Sequence, residues 1–109
     1  MTVERLAELS GFKAVCIPCP DKEVDGVYVG DLLSWVMGKA EPSNAWITIM
    51  SNINVAAVAT LADISCVILT EGVALDSDAL ATAKNKDINV LSTDLTSYEA
   101  AVKLSGILS

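Results

Sequence analysis

Cys16-Ile17-Pro18-Cys19 is the spacing in this chain that most invites a chemical reading. A reactive C-x-x-C pair sits at a helix N-terminus, where the dipole lowers the pKa of the first thiol. Here the pair runs into Pro20-Asp21-Lys22-Glu23, a loop pattern without helical periodicity, so that activation is absent. A structural zinc site takes four Cys or His ligands. The chain has three cysteines and no histidine, and Cys66 lies inside an apolar run. The cysteines are therefore expected to be ordinary core or loop residues in a reducing compartment, and no metal site is expected.

The absence of histidine also removes Ser-His and Cys-His nucleophile activation. Acid–base work would fall to carboxylates, of which Asp31, Glu71 and Asp94 stand just beyond strand-like runs. Their simpler roles are helix capping for Asp31 and Asp94 and a solvated loop charge for Glu71. Neither G-x-x-x-x-G-K-[ST] nor G-x-G-x-x-G occurs, so no phosphate loop or dinucleotide cofactor is expected. No catalytic set emerges, and the chain is read as non-enzymatic.

What remains is a group of small polar residues at the ends of apolar runs. Ser51, Asn52 and Asn54 follow WITIM, Thr70-Glu71-Gly72 follow CVIL, and Ser92 and Thr93 follow the run NVL. In an open α/β sheet, ligands bind beyond the C-terminal ends of the parallel strands. These eight residues are the candidate ligand-binding set. An anion held at helix N-termini is one use for them; plain capping by Ser51 or Asn52 is the other.

The elements that would hold these residues follow from periodicity. Residues 2–10 form a short amphipathic helix, with Thr2 as N-cap and Gly11 as its stop. Strands are expected at 12–17 and 26–29. Asp31 then caps a helix carrying the stripe Leu32, Leu33, Val36 and Met37. From there the pattern alternates: strand 45–50, helix 53–62, strand 64–70, helix 76–86, strand 88–92, helix 96–107. Such alternation indicates βαβ units. The fold expected is a single α/β domain over 1–109, a mostly parallel sheet of about 4–5 strands with helices on both faces.

Composition agrees with that fold. The 109 residues are 52% hydrophobic and only 5% aromatic, so the core must be built from Val, Ile, Leu and Ala. Net charge is −7, and no Lys or Arg occurs between Lys39 and Lys84. Phosphate backbones and anionic lipid surfaces attract Lys and Arg, so neither nucleic acid nor membrane is expected as a partner. The N-terminus lacks a signal-peptide layout, which makes the cytoplasm the expected location. Trp35 and Trp46, with Met37 and Met50 near them in sequence, suit either a core or a subunit interface. A homodimer is the expected assembly, two-fold dimers being the commonest.

At GVYVGDLLSWVMGKA, WITIMSNINVAAVA and CVILTEG the chain resembles the DRTGG domain family, small α/β modules. The family also occurs at the N-terminus of bacterial HPr kinase/phosphorylase and beside CBS domains in some pyrophosphatases. The resemblance runs from about Phe12 to Leu108, through the closing STDLTSYEAAVKL segment, and is closest to stand-alone members. Where the family has Asp-Arg after a strand, this chain has Ser51-Asn52; its Thr-Gly-Gly is Thr70-Glu71-Gly72. The family's arginine is absent, and with it any anion contact made through that position. The resemblance implies a sensory or regulatory module, often dimeric, without catalytic residues of its own. The expected function is thus ligand sensing, with a nucleotide or phosphorylated metabolite as the anionic ligand. The alternative is a protein-interaction subunit that docks a larger enzyme or regulator.

Overall fold

The most apolar run of the chain, CVIL, forms the strand that the rest of the molecule surrounds. The computed structural model describes residues 1–108. In it the elements follow as α1 (Val3–Ala7), β1 (Phe12–Cys16), β2 (Gly26–Val29), α2 (Leu33–Lys39) and β3 (Asn44–Thr48). There follow α3 (Asn54–Leu61), β4 (Cys66–Leu69), α4 (Ser77–Asn85), β5 (Val90–Thr93) and α5 (Ser97–Leu108). The five strands make one sheet in the order β1-β5-β4-β3-β2. β2 through β5 are parallel, and only β1 runs antiparallel, against β5. All four residues of β4 are buried, as a central strand covered on both faces requires.

Side-chain alternation divides the core into two layers. Trp46, Val67, Leu69 and Val90 face α2, α3 and α4, packing with Val36, Val55, Ala59 and Ala83. Ala45, Ile47, Cys66, Ile68 and Leu91 face the other way, against Val3 and Leu6 of α1 and Ala100 and Leu104 of α5. Each large apolar side chain fully buried in these layers contributes about 1.5–3 kcal/mol. Cys66 belongs to this core, and burial pushes its thiol up to about 12.

The expected fold class is observed; several local assignments need correction. The first helix spans only Val3–Ala7, although Thr2 does cap it, its Oγ1 accepting from the Arg5 amide at 3.3 Å. Asp31 does not cap α2. The N-cap is Leu32, which has no side-chain cap bond. Asp31 instead reaches back to β3, accepting from the Thr48 hydroxyl at 2.8 Å and the Ile49 amide at 2.9 Å. Of the α2 stripe only Val36 is buried and Leu33 partly so; Leu32 and Met37 are exposed. Trp46, which by sequence suits either a core or a subunit interface, lies in the middle of β3, fully buried, with its indole N–H donating to the Gly30 carbonyl at 2.8 Å.

Asp94 is not the cap of α5 either. Thr96 and Glu99 form a reciprocal box: the Thr96 hydroxyl accepts from the Glu99 amide at 3.1 Å, and the Glu99 carboxylate accepts from the Thr96 amide at 2.9 Å. These bonds from Thr96 hold the Glu99 carboxyl below the usual carboxylate range.

Asn89 ties the opening loop to the sheet. Its amide Nδ2 donates to the carbonyls of Cys19 (2.8 Å) and Ser65 (2.9 Å), and its Oδ1 accepts from the Cys19 amide at 2.9 Å. The residue is 1% exposed, so removing it leaves backbone groups without partners in a dry setting. Asn89→Ala is expected to lower stability by about 2–4 kcal/mol, read as a reduced urea midpoint with an unchanged m-value. A loss under ~0.5 kcal/mol would mean that water replaces the amide without cost.

Candidate functional site

Because β2 through β5 are parallel, the loops after them emerge on one edge of the sheet. Ser51, Asn52 and Asn54 follow β3; Thr70, Glu71 and Gly72 follow β4; Ser92 and Thr93 end β5. The fold brings these three segments side by side, but their side chains have different tasks.

Thr70 is inside. It has no exposed surface, and its hydroxyl pairs with that of Ser97 at 2.7 Å. Its part is to join the end of β4 to the start of α5. Asn52 acts locally, its Oδ1 accepting from the Asn54 amide at 2.9 Å to close the turn ahead of α3. Ser51 offers its carbonyl to the Asp76 amide at 3.2 Å, linking this loop to the entry of α4. The segment is thus partly spent on its own backbone, but neither Ser51 nor Asn52 is the cap of α3: the N-cap is Ile53, which has no side-chain cap bond.

Glu71 and Gly72 make a tight left-handed turn, with φ of 59° and 73°. Both amides point to the β5–α5 connection: Glu71 N–H donates to the Leu95 carbonyl at 2.8 Å and Gly72 N–H to that of Thr93 at 3.1 Å. The turn therefore welds two strand ends together, while the Glu71 side chain stays exposed. Only glycine adopts such φ values freely, so Glu71 is held there by its neighbours.

Beside this turn lies a cavity of about 310 Å³. Its walls are Gly72–Leu75 after β4, Leu80 of α4, Ser92 and Thr93 of β5, Asp94, and Lys13 and Val15 of β1. Gly72, Ser92 and Thr93 of the candidate set line it; Ser51, Asn52, Asn54, Thr70 and Glu71 do not. Asp94 is one of the carboxylates singled out at the strand ends, whereas Lys13 and the apolar residues Val15, Leu75 and Leu80 are not among the residues the sequence points to. Lys13 arrives because β1 runs antiparallel on β5 and sets its Cα opposite that of Ser92. Residues directly opposite in such a pair share a face. No local pattern announces that pairing, since β1 and β5 are separated by most of the chain.

The Cys16-Cys19 pair sits elsewhere, against the α4–β5 turn. Cys16 Sγ donates to the Ile88 carbonyl at 3.5 Å and Cys19 Sγ to that of Asp87 at 3.7 Å. Burial raises the Cys16 pKa, which works against a reactive thiolate. Among the described residues no group of three or more His, Cys, Asp or Glu is placed to hold a metal ion. No described helix is long and apolar enough to cross a membrane.

Compared with known families, residues 21–107 match the sequence model of the DRTGG domain. A search of curated proteins returned no match for this chain.

The strain at Glu71 can be measured. A side-chain-bearing residue in the left-handed region costs roughly 1–3 kcal/mol, against about 0.5–1 kcal/mol for glycine's extra unfolded freedom. Glu71→Gly is expected to leave stability unchanged or raise it by up to about 2.5 kcal/mol, and Glu71→Val to lower it by ~2 kcal/mol. Equal urea midpoints for the two variants would show that the turn relaxes at no cost.

Proposed function

This chain belongs to the DRTGG domain family, a family of regulatory-type modules, and on that premise we propose that it is a non-catalytic sensor whose small ligand occupies the cavity beside the Glu71–Gly72 turn. The observation that carries the reading is the cavity itself. Its volume falls at the lower end of the range for small-molecule sites, and its apolar walls carry a few convergent polar groups, as such sites do. Gly72 in its wall belongs to the turn that links β4 to the β5–α5 connection through two backbone hydrogen bonds. A ligand that binds there contacts two strand ends and α4 at once. Occupancy is thereby felt by the packing of α4 and α5, which suits regulation better than turnover. In this reading Gly72, Ser92 and Thr93 belong to the site, Thr70 and Glu71 to its scaffold, and Ser51, Asn52 and Asn54 have no part in the cavity wall.

A ligand selective for the folded state raises stability by about 2.7 kcal/mol when present at 100 times its Kd. A thermal-shift panel of nucleotides, phosphorylated metabolites and amino acids is therefore expected to contain compounds that raise Tm. Ala74→Trp, which fills the cavity from an exposed position, should abolish the shift and leave the unliganded Tm unchanged. If nothing in the panel raises Tm while the chain captures a stoichiometric protein partner, the docking role replaces the sensory one.

Assembly as a homodimer is part of the same proposal, with α2 and the β3–α3 segment as the contact. Leu32, Trp35 and Met37 are 59%, 56% and 49% exposed, and Ile49 and Ile53 are 42% and 47% exposed. Large apolar side chains concentrated on two adjoining segments mark an interaction surface more often than a free one. Light scattering is expected to give a dimer mass that Trp35→Glu converts to a monomer; a monomer mass for the unaltered chain at every concentration removes the dimer.

A further inference from the structure

The cavity has two opposite charges on its walls, and they do not pair with each other. Lys13 is the one basic residue lining it, and Asp94 the one acidic residue. Among the described residues the ion pair present is that of the Met1 ammonium with Glu23, so neither head group is neutralised by a partner of its own chain. The position of Asp94 is defined by the turn: a Cβ built on Gly72 would lie 3.3 Å from Asp94 Oδ1. With φ at +73°, Gly72 both makes the turn and leaves room for that carboxylate. The strand pairing brings Lys13 opposite Ser92. The remaining walls include the apolar residues Val15, Leu75 and Leu80.

Such a lining discriminates among ligand classes. A nucleoside polyphosphate carries several negative charges and would meet a single lysine together with a repelling carboxylate. A purely apolar molecule would bury both charges without compensation. A molecule with one ammonium, one carboxylate and an apolar body satisfies every wall. We propose that the cavity selects a free amino acid with an apolar side chain, its carboxylate on Lys13, its ammonium on Asp94 and its side chain against Val15, Leu75 and Leu80. The proposal rests on the sensory reading of this cavity and replaces the phosphorylated ligand expected from the chain alone with a zwitterion.

The test is a ¹H–¹⁵N titration of the full chain with L-leucine, L-methionine and L-phenylalanine. Beside them run the single-charge analogues 4-methylpentanoate and 3-methylbutylamine, and AMP and inorganic phosphate as anions. At least one amino acid is expected to shift the amides of Lys13, Val73 and Asp94. Each analogue should bind about tenfold more weakly or worse, the worth of one charged hydrogen bond. Lys13→Gln should erase the advantage of leucine over 3-methylbutylamine, and Asp94→Asn its advantage over 4-methylpentanoate. Both side chains are exposed, and an otherwise unchanged spectrum checks that each variant is folded. Amino acids that leave all cavity amides unmoved overturn the zwitterion. If AMP or phosphate then shifts those amides, the sensory site survives with an anionic ligand. If no probe moves them and the thermal-shift panel is also silent, the sensory site fails as well.

Discussion

The pairing of β4 with parallel neighbours on both sides is the constraint on which the rest of the molecule depends. Its residues Cys66–Leu69 are wholly buried between two helical layers, so its backbone amides and carbonyls must find partners within the sheet. Parallel neighbours require crossovers, and helices supply them. From this follow α3 and α4 as connections, their placement on one face, and the emergence of the β3, β4 and β5 loops along one edge. A polar side chain in β4 would be left without a partner in an apolar layer, which is why the strand reads as an unbroken apolar run.

Around that strand, a small set of polar side chains performs the joining that apolar packing cannot. Asn89 ties the 16–19 loop to the starts of β4 and β5. Asp31 ties the β2–α2 connection to the end of β3. Thr70 and Ser97 join the end of β4 to α5. Each lies where two strands or a strand and a helix must be brought into register, and each is matched by its partner's hydrogen-bonding groups. Directional bonds at such junctions set orientation, whereas the two apolar layers supply most of the energy. The cavity lies beside the Glu71–Gly72 turn that follows Thr70 in the chain. Gly72, in the wall of that cavity, belongs to the same turn whose backbone bonds join the end of β4 to the β5–α5 connection.

How far the sequence reveals this arrangement varies with the range of the interaction. The alternation of strands and helices is a local signal, and it predicts nine of the elements within a few residues of where they form; the first helix ends earlier than its pattern suggests. Capping is less legible. Asp31 and Asp94 stand where helix caps occur, but the hydroxyl and amide at the end of β3 claim Asp31, and the Thr96–Glu99 box makes Asp94 unnecessary at α5. That box was written in the sequence as Thr-x-x-Glu. Likewise the α2 stripe has helical spacing, yet only one side of the helix meets the core, so Leu32 and Met37 remain in solvent.

By itself, then, the sequence determined the fold class, the central strand and the edge of the sheet where polar residues gather, because period and apolar run length depend on near neighbours. It also determined that no residue set built on histidine and no phosphate loop of the usual spacing is present. Only the tertiary structure decided which polar residues line a cavity and which serve as scaffold. Thr70 and Ser92 look alike in sequence, but one is sealed against Ser97 and the other lines the cavity. Lys13 and Asp94 enter the site through an antiparallel edge pairing and a left-handed turn. The strand-end position of Asp94 is legible locally, but its place against Gly72 and the arrival of Lys13 are contacts between segments apart in the chain, which no local pattern carries.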